Sequence, residues 1–215
     1  GCSALVEAFV ASIGAGVGCV RAAAVRSGSA SAYAPLGPSL TGLRARLEAP
    51  RTPVASLPAL APLEGGRADE QVTLHAMGEA YAALVTAAAS SAPLVLVLED
   101  LDAADASTQA VLGAALAALT APGALRLPGH PLAGLLVVAS FRDDPMPEAL
   151  DRWVGRTPAV SMPLAPLDLD GLRAYLDRGR IAERLLAVTG GIPARLEEVI
   201  AAPPAIDLAA GACRP

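Results

Sequence analysis

The sequence predicts an α/β fold, a parallel sheet covered by helices on both faces, followed by a small C-terminal helical subdomain. Candidate strands alternate with candidate helices along most of the chain. The two strongest strand candidates, LVLVL at 94–98 and GLLVVAS at 134–140, are continuous apolar runs without in/out alternation, the pattern of strands buried on both faces. The last three helices have no strand between them and predict the separate lobe.

Each element has a local reason. Ser3 is placed to cap a helix bearing Leu5, Val6, Phe9, Val10 and Ile13 at helical spacing. Gly14, Gly16 and Gly18 end it and make a turn. This glycine run follows a helix and precedes a strand, the reverse of what a phosphate loop needs. Residues 17–25 are short, β-branched and apolar, and read as a strand. Residues 27–38 form a small, polar loop, 40–47 a short helix, and 49–66, with four prolines, an irregular segment. Residues 68–89 form a long helix with Leu74, Met77, Tyr81, Leu84 and Val85 on one face. Pro93 closes the turn before the strand at 94–98; an Ala-rich helix follows at 107–119. The strand at 134–140 runs into Phe141-Arg142-Asp143-Asp144, where Arg142 has acids beside it for local ion pairs. A short helix at 147–154 and a short strand at 159–164 come next. Asp168 or Asp170 caps a helix reaching residue 178. Helices at 181–189 and 194–201 are split by Gly190-Gly191-Ile192-Pro193, and 202–215 is a frayed tail. The expected domains are an α/β core at 1–165, a helical subdomain at 166–201 and the tail at 202–215.

Composition excludes several classes. At 215 residues, with 53% hydrophobic and 3% aromatic letters, the chain suits one domain with a small appendage and an aliphatic core. A net charge of −5 without a basic cluster argues against direct nucleic-acid binding. All sixteen basic residues are Arg, so no ammonium side chain is available to a phosphate. Cys2, Cys19 and Cys213 are odd in number and far apart, without metal-ligand spacing, which argues against a zinc site or disulfide framework. The apolar stretches 82–98 and 110–125 are broken by Ser90, Ser91 and Pro93, and by Thr120, Pro122 and Gly123, so neither reads as a membrane span. No basic region precedes the first apolar run, so no signal peptide is predicted and the cytoplasm is the expected compartment. The sequence does not begin with Met and reads as a piece of a longer chain. No G-x-S-x-G elbow occurs; His75 lies in a helix and His130 in a Gly/Pro loop, which leaves a Ser-His hydrolase little support.

Ligands of parallel sheets sit outside the carboxyl ends of the strands. Two strands here end in charge: Leu98 runs into Glu99-Asp100, and Ser140 into Arg142. One carboxylate can hold Mg²⁺ and the next can orient or deprotonate water, while a polar residue and an Arg past a neighbouring strand can sense phosphate. By themselves, adjacent acids past a strand equally suit a solvated loop and helix cap.

PLVLVLEDLDAADASTQAVL (93–112) resembles the Walker B region of AAA-like and STAND-type P-loop ATPases of bacterial signalling and transcription regulators. Glu99-Asp100 and Asp105-Ala106-Ser107-Thr108 carry the likeness; Asp102 and Ala103 replace the usual His/Gln and Trp. LLVVASFRDD (135–144) resembles the family's sensor strand, LLAVTGGIPARLEEVI (185–200) its Gly-Asn-Pro helix region with Ile192 for Asn, and SASAYAPLGPSLTGL (29–43) the segment after its second strand. The resemblance implies a nucleotide-binding core that couples ATP binding and hydrolysis to a regulatory conformational switch. It implies Mg²⁺ held by Ser3 and Glu99, water positioned by Asp100, and the terminal phosphate sensed by Arg142 beside Ser140. It also implies that Gly1, Cys2 and Ser3 end the phosphate loop, with Gly191 and Pro193 near the nucleotide, Pro193 on its base or ribose side. ATP/ADP with magnesium and the effector or sensor domains of the same chain are the implied partners, with room for a nucleotide-dependent oligomer.

Two departures matter. Cys2 stands where the family has Lys, and a thiol supplies no ammonium charge to the β- and γ-phosphates. This keeps a non-catalytic switch or interaction module open as the alternative. The resemblance also implies the strand order 5-1-4-3-2, with the first strand central, and by it the sequence is expected to start after that strand and most of the phosphate loop. The strands at 135–139 and 159–164 are then expected to lack the neighbour they share, each with an unpaired edge.

Overall fold

The computed structural model describes residues 1–24, 32–47, 57–65, 72–121, 126–127, 130–131, 134–142, 148–156, 159–176 and 179–201. The chain divides into two compact units, Phe9–Val160 in one and Gly1–Ala8 with Ser161–Pro215 in the other. Helix α1 (Cys2–Ser12) begins the chain. Ser3 lies inside its first turn rather than capping it, because the Gly1 carbonyl already accepts from Leu5 N.

The larger unit holds a three-stranded parallel sheet of β1 (Gly18–Ala23), β2 (Leu94–Glu99) and β5 (Leu135–Ala139), in the order β1-β2-β5. Gly18 pairs with Leu94 and Ala23 with Glu99; Leu94 pairs with Leu135 and Leu98 with Ala139. Around the sheet come α2 (Leu36–Arg44), a 3₁₀ segment (Pro58–Glu64), α3 (Leu74–Ser91), α4 (Ala106–Thr120) and α5 (Glu148–Arg156). A two-residue pairing joins β3 (Arg126–Leu127) to β4 (His130–Pro131).

Local chemistry sets several boundaries. The Thr73 hydroxyl accepts from Ala76 N and caps α3, so this helix starts later than its apolar pattern suggests; 68–71 lie outside the described residues. Helix α2 begins at Leu36, earlier than expected, with Pro35 at its cap and Pro38 in the first turn, where no amide needs an intrahelical acceptor. Gly78 lets α3 lie against α4, since a Cβ there would come within 2.7 Å of the Val111 carbonyl oxygen. Leu40, Leu43, Leu60, Tyr81, Leu84, Leu96 and Leu112 share one aliphatic core with the sheet. Burial pushes the Tyr81 phenol up to about 12, and its bond with the Ser39 hydroxyl (2.9 Å) only partly offsets that.

The expected strand at 159–164 does not form. Those residues have no regular structure, and Val160 is 94% exposed. A strand exists only where a ladder partner completes its hydrogen bonds, and among the described residues the sheet ends at β5.

The smaller unit contains α6 (Leu169–Leu176), α7 (Gly179–Thr189) and α8 (Pro193–Ala201) around Leu172, Ala182, Leu185 and Leu196. Asp168 Oδ1 accepts from Gly171 N at 2.7 Å, the capping contact expected of it. The tail at 202–215 lies outside the described residues.

Candidate functional site

The carboxyl ends of the three parallel strands are tied to one another. Ala24 N donates to the Glu99 carbonyl (3.0 Å), and Ser140 N to that of Leu98 (2.9 Å). Past β2 the chain turns sharply: Asp100 sits at φ 53°, ψ 42°, a left-handed conformation that Asp tolerates better than most residues. The Ser140 hydroxyl accepts from Asp100 N (3.2 Å), and the Ser140 carbonyl from Leu101 N (3.0 Å). Arg142 N then donates to Asp102 Oδ1 at 3.1 Å. Glu99, at the end of β2, thus leads into one of two adjoining, mutually hydrogen-bonded loops, which carry Asp100, Ser140 and Arg142.

Glu99 is 5% exposed. Its Oε1 accepts from Arg21 Nε (3.0 Å) and Nη2 (2.5 Å), an arginine on β1 whose side chain is 40% exposed. Cys19 lies close enough to feel the pair. Burial raises its thiol pKa; the Arg21 charge acts in the lowering direction and the Glu99 charge adds to the rise.

The acid-bearing loop is pinned at its far end too. The Gln109 side-chain amide donates to the carbonyls of Leu101 and Ala104, both at 3.1 Å. Asp105 caps α4, its Oδ1 accepting from the amides of Ser107 and Thr108 at 3.0 Å. Asp105 Oδ2 takes the Thr108 hydroxyl hydrogen bond and a longer one from Tyr33 N (3.4 Å). Burial works to raise the Asp105 carboxyl, but these four hydrogen bonds outweigh it and hold the group below its ordinary value. Tyr33, itself left-handed at φ 64°, also donates to the Thr108 hydroxyl at 3.2 Å.

The other expected site residues belong to the smaller unit. Gly1, Cys2 and Ser3 are exposed at the start of α1. Gly191, at φ 74°, accepts from Leu167 N at 2.8 Å, and a Cβ there would collide with the Leu167 carbonyl. That backbone approach is a structural reason for the glycine. Pro193 opens α8 at a position that tolerates a missing amide hydrogen. His75 is an exposed helix residue 3.4 Å from Glu79, and Asp143 and Asp144 lie outside the described residues.

Arg21 was not legible as a site residue. Its one signal was a charged letter inside an otherwise apolar and small strand, GCVRAA. Among the described residues no three His, Cys, Asp or Glu side chains converge on a metal position. The oxygen donors fit a hard cation that keeps its waters and substrate phosphates as its remaining ligands, as Mg²⁺ does. No described helix is long and apolar enough to cross a membrane.

A family model described as the AAA ATPase domain matches residues 1–127. The match takes in β1, β2 and the acid loop; Ser140, Arg142, Gly191 and Pro193 lie beyond it. No curated protein and no solved structure matches the chain.

Proposed function

The chain belongs to the AAA ATPase domain family, and from that premise we propose that it is the nucleotide-binding core of a STAND-type signalling ATPase, coupling ATP binding and hydrolysis to a regulatory switch. The observation that carries this reading is the meeting of Glu99-Asp100 and Ser140-Arg142 on hydrogen-bonded loops at the carboxyl ends of β2 and β5. In this reading Glu99 supports Mg²⁺, which when bound neutralises phosphate charge. Asp100 positions the attacking water, held in place by its backbone bond to Ser140. Arg142 senses the terminal phosphate from the neighbouring loop. The parts of Gly1, Cys2, Ser3, Gly191 and Pro193 rest on the resemblance alone, as do the division into 1–165, 166–201 and 202–215 and partner domains within a longer chain.

Cys2 favours a second reading, a switch that binds nucleotide without efficient turnover, since it brings a thiol where the family pattern has an ammonium. One experiment separates the two. ATP binding by calorimetry and phosphate release are measured for the chain, Asp100→Asn and Cys2→Lys. Retained hydrolysis is expected to fall roughly 10²–10⁴-fold in Asp100→Asn, the range for loss of a positioned base, with binding kept. Binding without turnover that Cys2→Lys restores identifies the switch. Absence of binding in both the chain and Cys2→Lys overturns the assignment.

A further inference from the structure

We infer that Arg21 is the positioning residue for Glu99, fixing one carboxylate oxygen so that the other is presented to a divalent cation. The inference rests on the proposed role of Glu99 and goes beyond it. The β1–β2 register sets Ala23 opposite Glu99 and Arg21 opposite Val97, so the guanidinium stands two residues inside the strand end and reaches along the sheet. Its Nε and Nη2 converge on Oε1. Oε2 makes no hydrogen bond to any described residue, which leaves it as the oxygen open to a ligand.

A glutamate side chain has three rotatable torsions, and a single contact would leave its carboxylate free to turn. Arg presents its donors as a rigid planar fork, so two converging nitrogens restrict Oε1 and with it the plane of the carboxylate. Only 6% of the Glu99 side chain is exposed, so its neighbours leave little alternative rotamer space. Ordering the ligand oxygen before the cation arrives removes part of the entropy lost on binding. Partners of this kind behind a metal ligand typically change affinity by roughly 10–100-fold.

The test titrates Mn²⁺ alone into the 215-residue chain and follows loss of the free-ion paramagnetic resonance signal. It compares Glu99→Gln, Arg21→Met and Arg21→Lys, with circular dichroism and Tm recorded for each. Glu99→Gln is expected to weaken Mn²⁺ binding, Arg21→Met to weaken it roughly tenfold, and Arg21→Lys, which keeps the charge without the planar fork, to recover only a minor part of that loss. A purely structural role would move Tm in Arg21→Met and leave the affinity of the folded fraction unchanged. Should Arg21→Met not fold, Arg21→Gln, which keeps a planar donor without the charge, takes its place with the same expected loss. Parent-like binding in Arg21→Met with loss in Glu99→Gln overturns the inference and leaves the role of Glu99 standing. Parent-like binding in Arg21→Lys also overturns it, because a charge without the fork would then suffice. Parent-like binding in Glu99→Gln removes the premise itself, a result distinct from the other two.

Discussion

β2 and β5 are near-twins in sequence, LVLVLE and LLVVA, and they run parallel in register side by side. All six residues of β2 are buried, whereas Leu136 in β5 is 49% exposed and Ala139 is exposed as well. The difference lies in the neighbours. β2 has a ladder on each side, and β5 is the sheet's edge among the described residues. A run of apolar letters therefore reports the capacity of a strand to be buried on both faces; position in the sheet decides how much of that capacity is used.

The largest effect that sharpens this comparison comes from the centre of β2. Leu96→Ala, at a position 1% exposed, is expected to lose about 2–5 kcal/mol of stability by urea denaturation. A loss as small as that of an exposed site would break the reading of β2 as the central strand. Next comes the loop that β2 feeds. Asp105→Ala removes the cap of α4 and is expected to cost ~1–2 kcal/mol. The Asp105 carboxyl is held below its ordinary value of 3.8 in the folded chain, so its contribution is complete above that value. The contribution is lost as pH falls through the lower folded value. Denaturation at neutral and acid pH should therefore show a gap between the chain and Asp105→Ala that narrows on acidification.

Ser140→Ala removes the hydroxyl that accepts from Asp100 N, and about 1 kcal/mol should go with it. Its stability is measured beside that of Leu96→Ala to set loop tethering against core packing. Leu136→Lys is the smallest change. On the open edge it should move stability by no more than ~0.5 kcal/mol and reduce self-association seen by light scattering, because a charged edge discourages strand addition. A loss comparable to that of Leu96→Ala would show that β5 is covered.

Much of the site was legible because its signals are local. Two acids ending an apolar run are visible at 99–100, as are the Ser and Arg after the next run and the Asp-x-Ser-Thr cap at 105–108. Arg21 was not legible, because its partner Glu99 is 78 residues away in sequence. The Tyr33 contact with Asp105, across 72 residues, is hidden for the same reason. The strand expected at 159–164 shows the opposite failure: a favourable local pattern, Ala-Val-Ser-Met-Pro-Leu, with no ladder to join among the described residues.

The order of letters alone determined where helices and strands can form and which strands end in acids, because periodicity, capping and turn chemistry act over a few residues. The tertiary structure decided which strand is central and which is the edge. It also decided that a guanidinium from β1 grips Glu99, and that the loops after β2 and β5 share hydrogen bonds. Ladder partners and ion pairs are chosen between segments distant in the chain, and no local pattern encodes that choice.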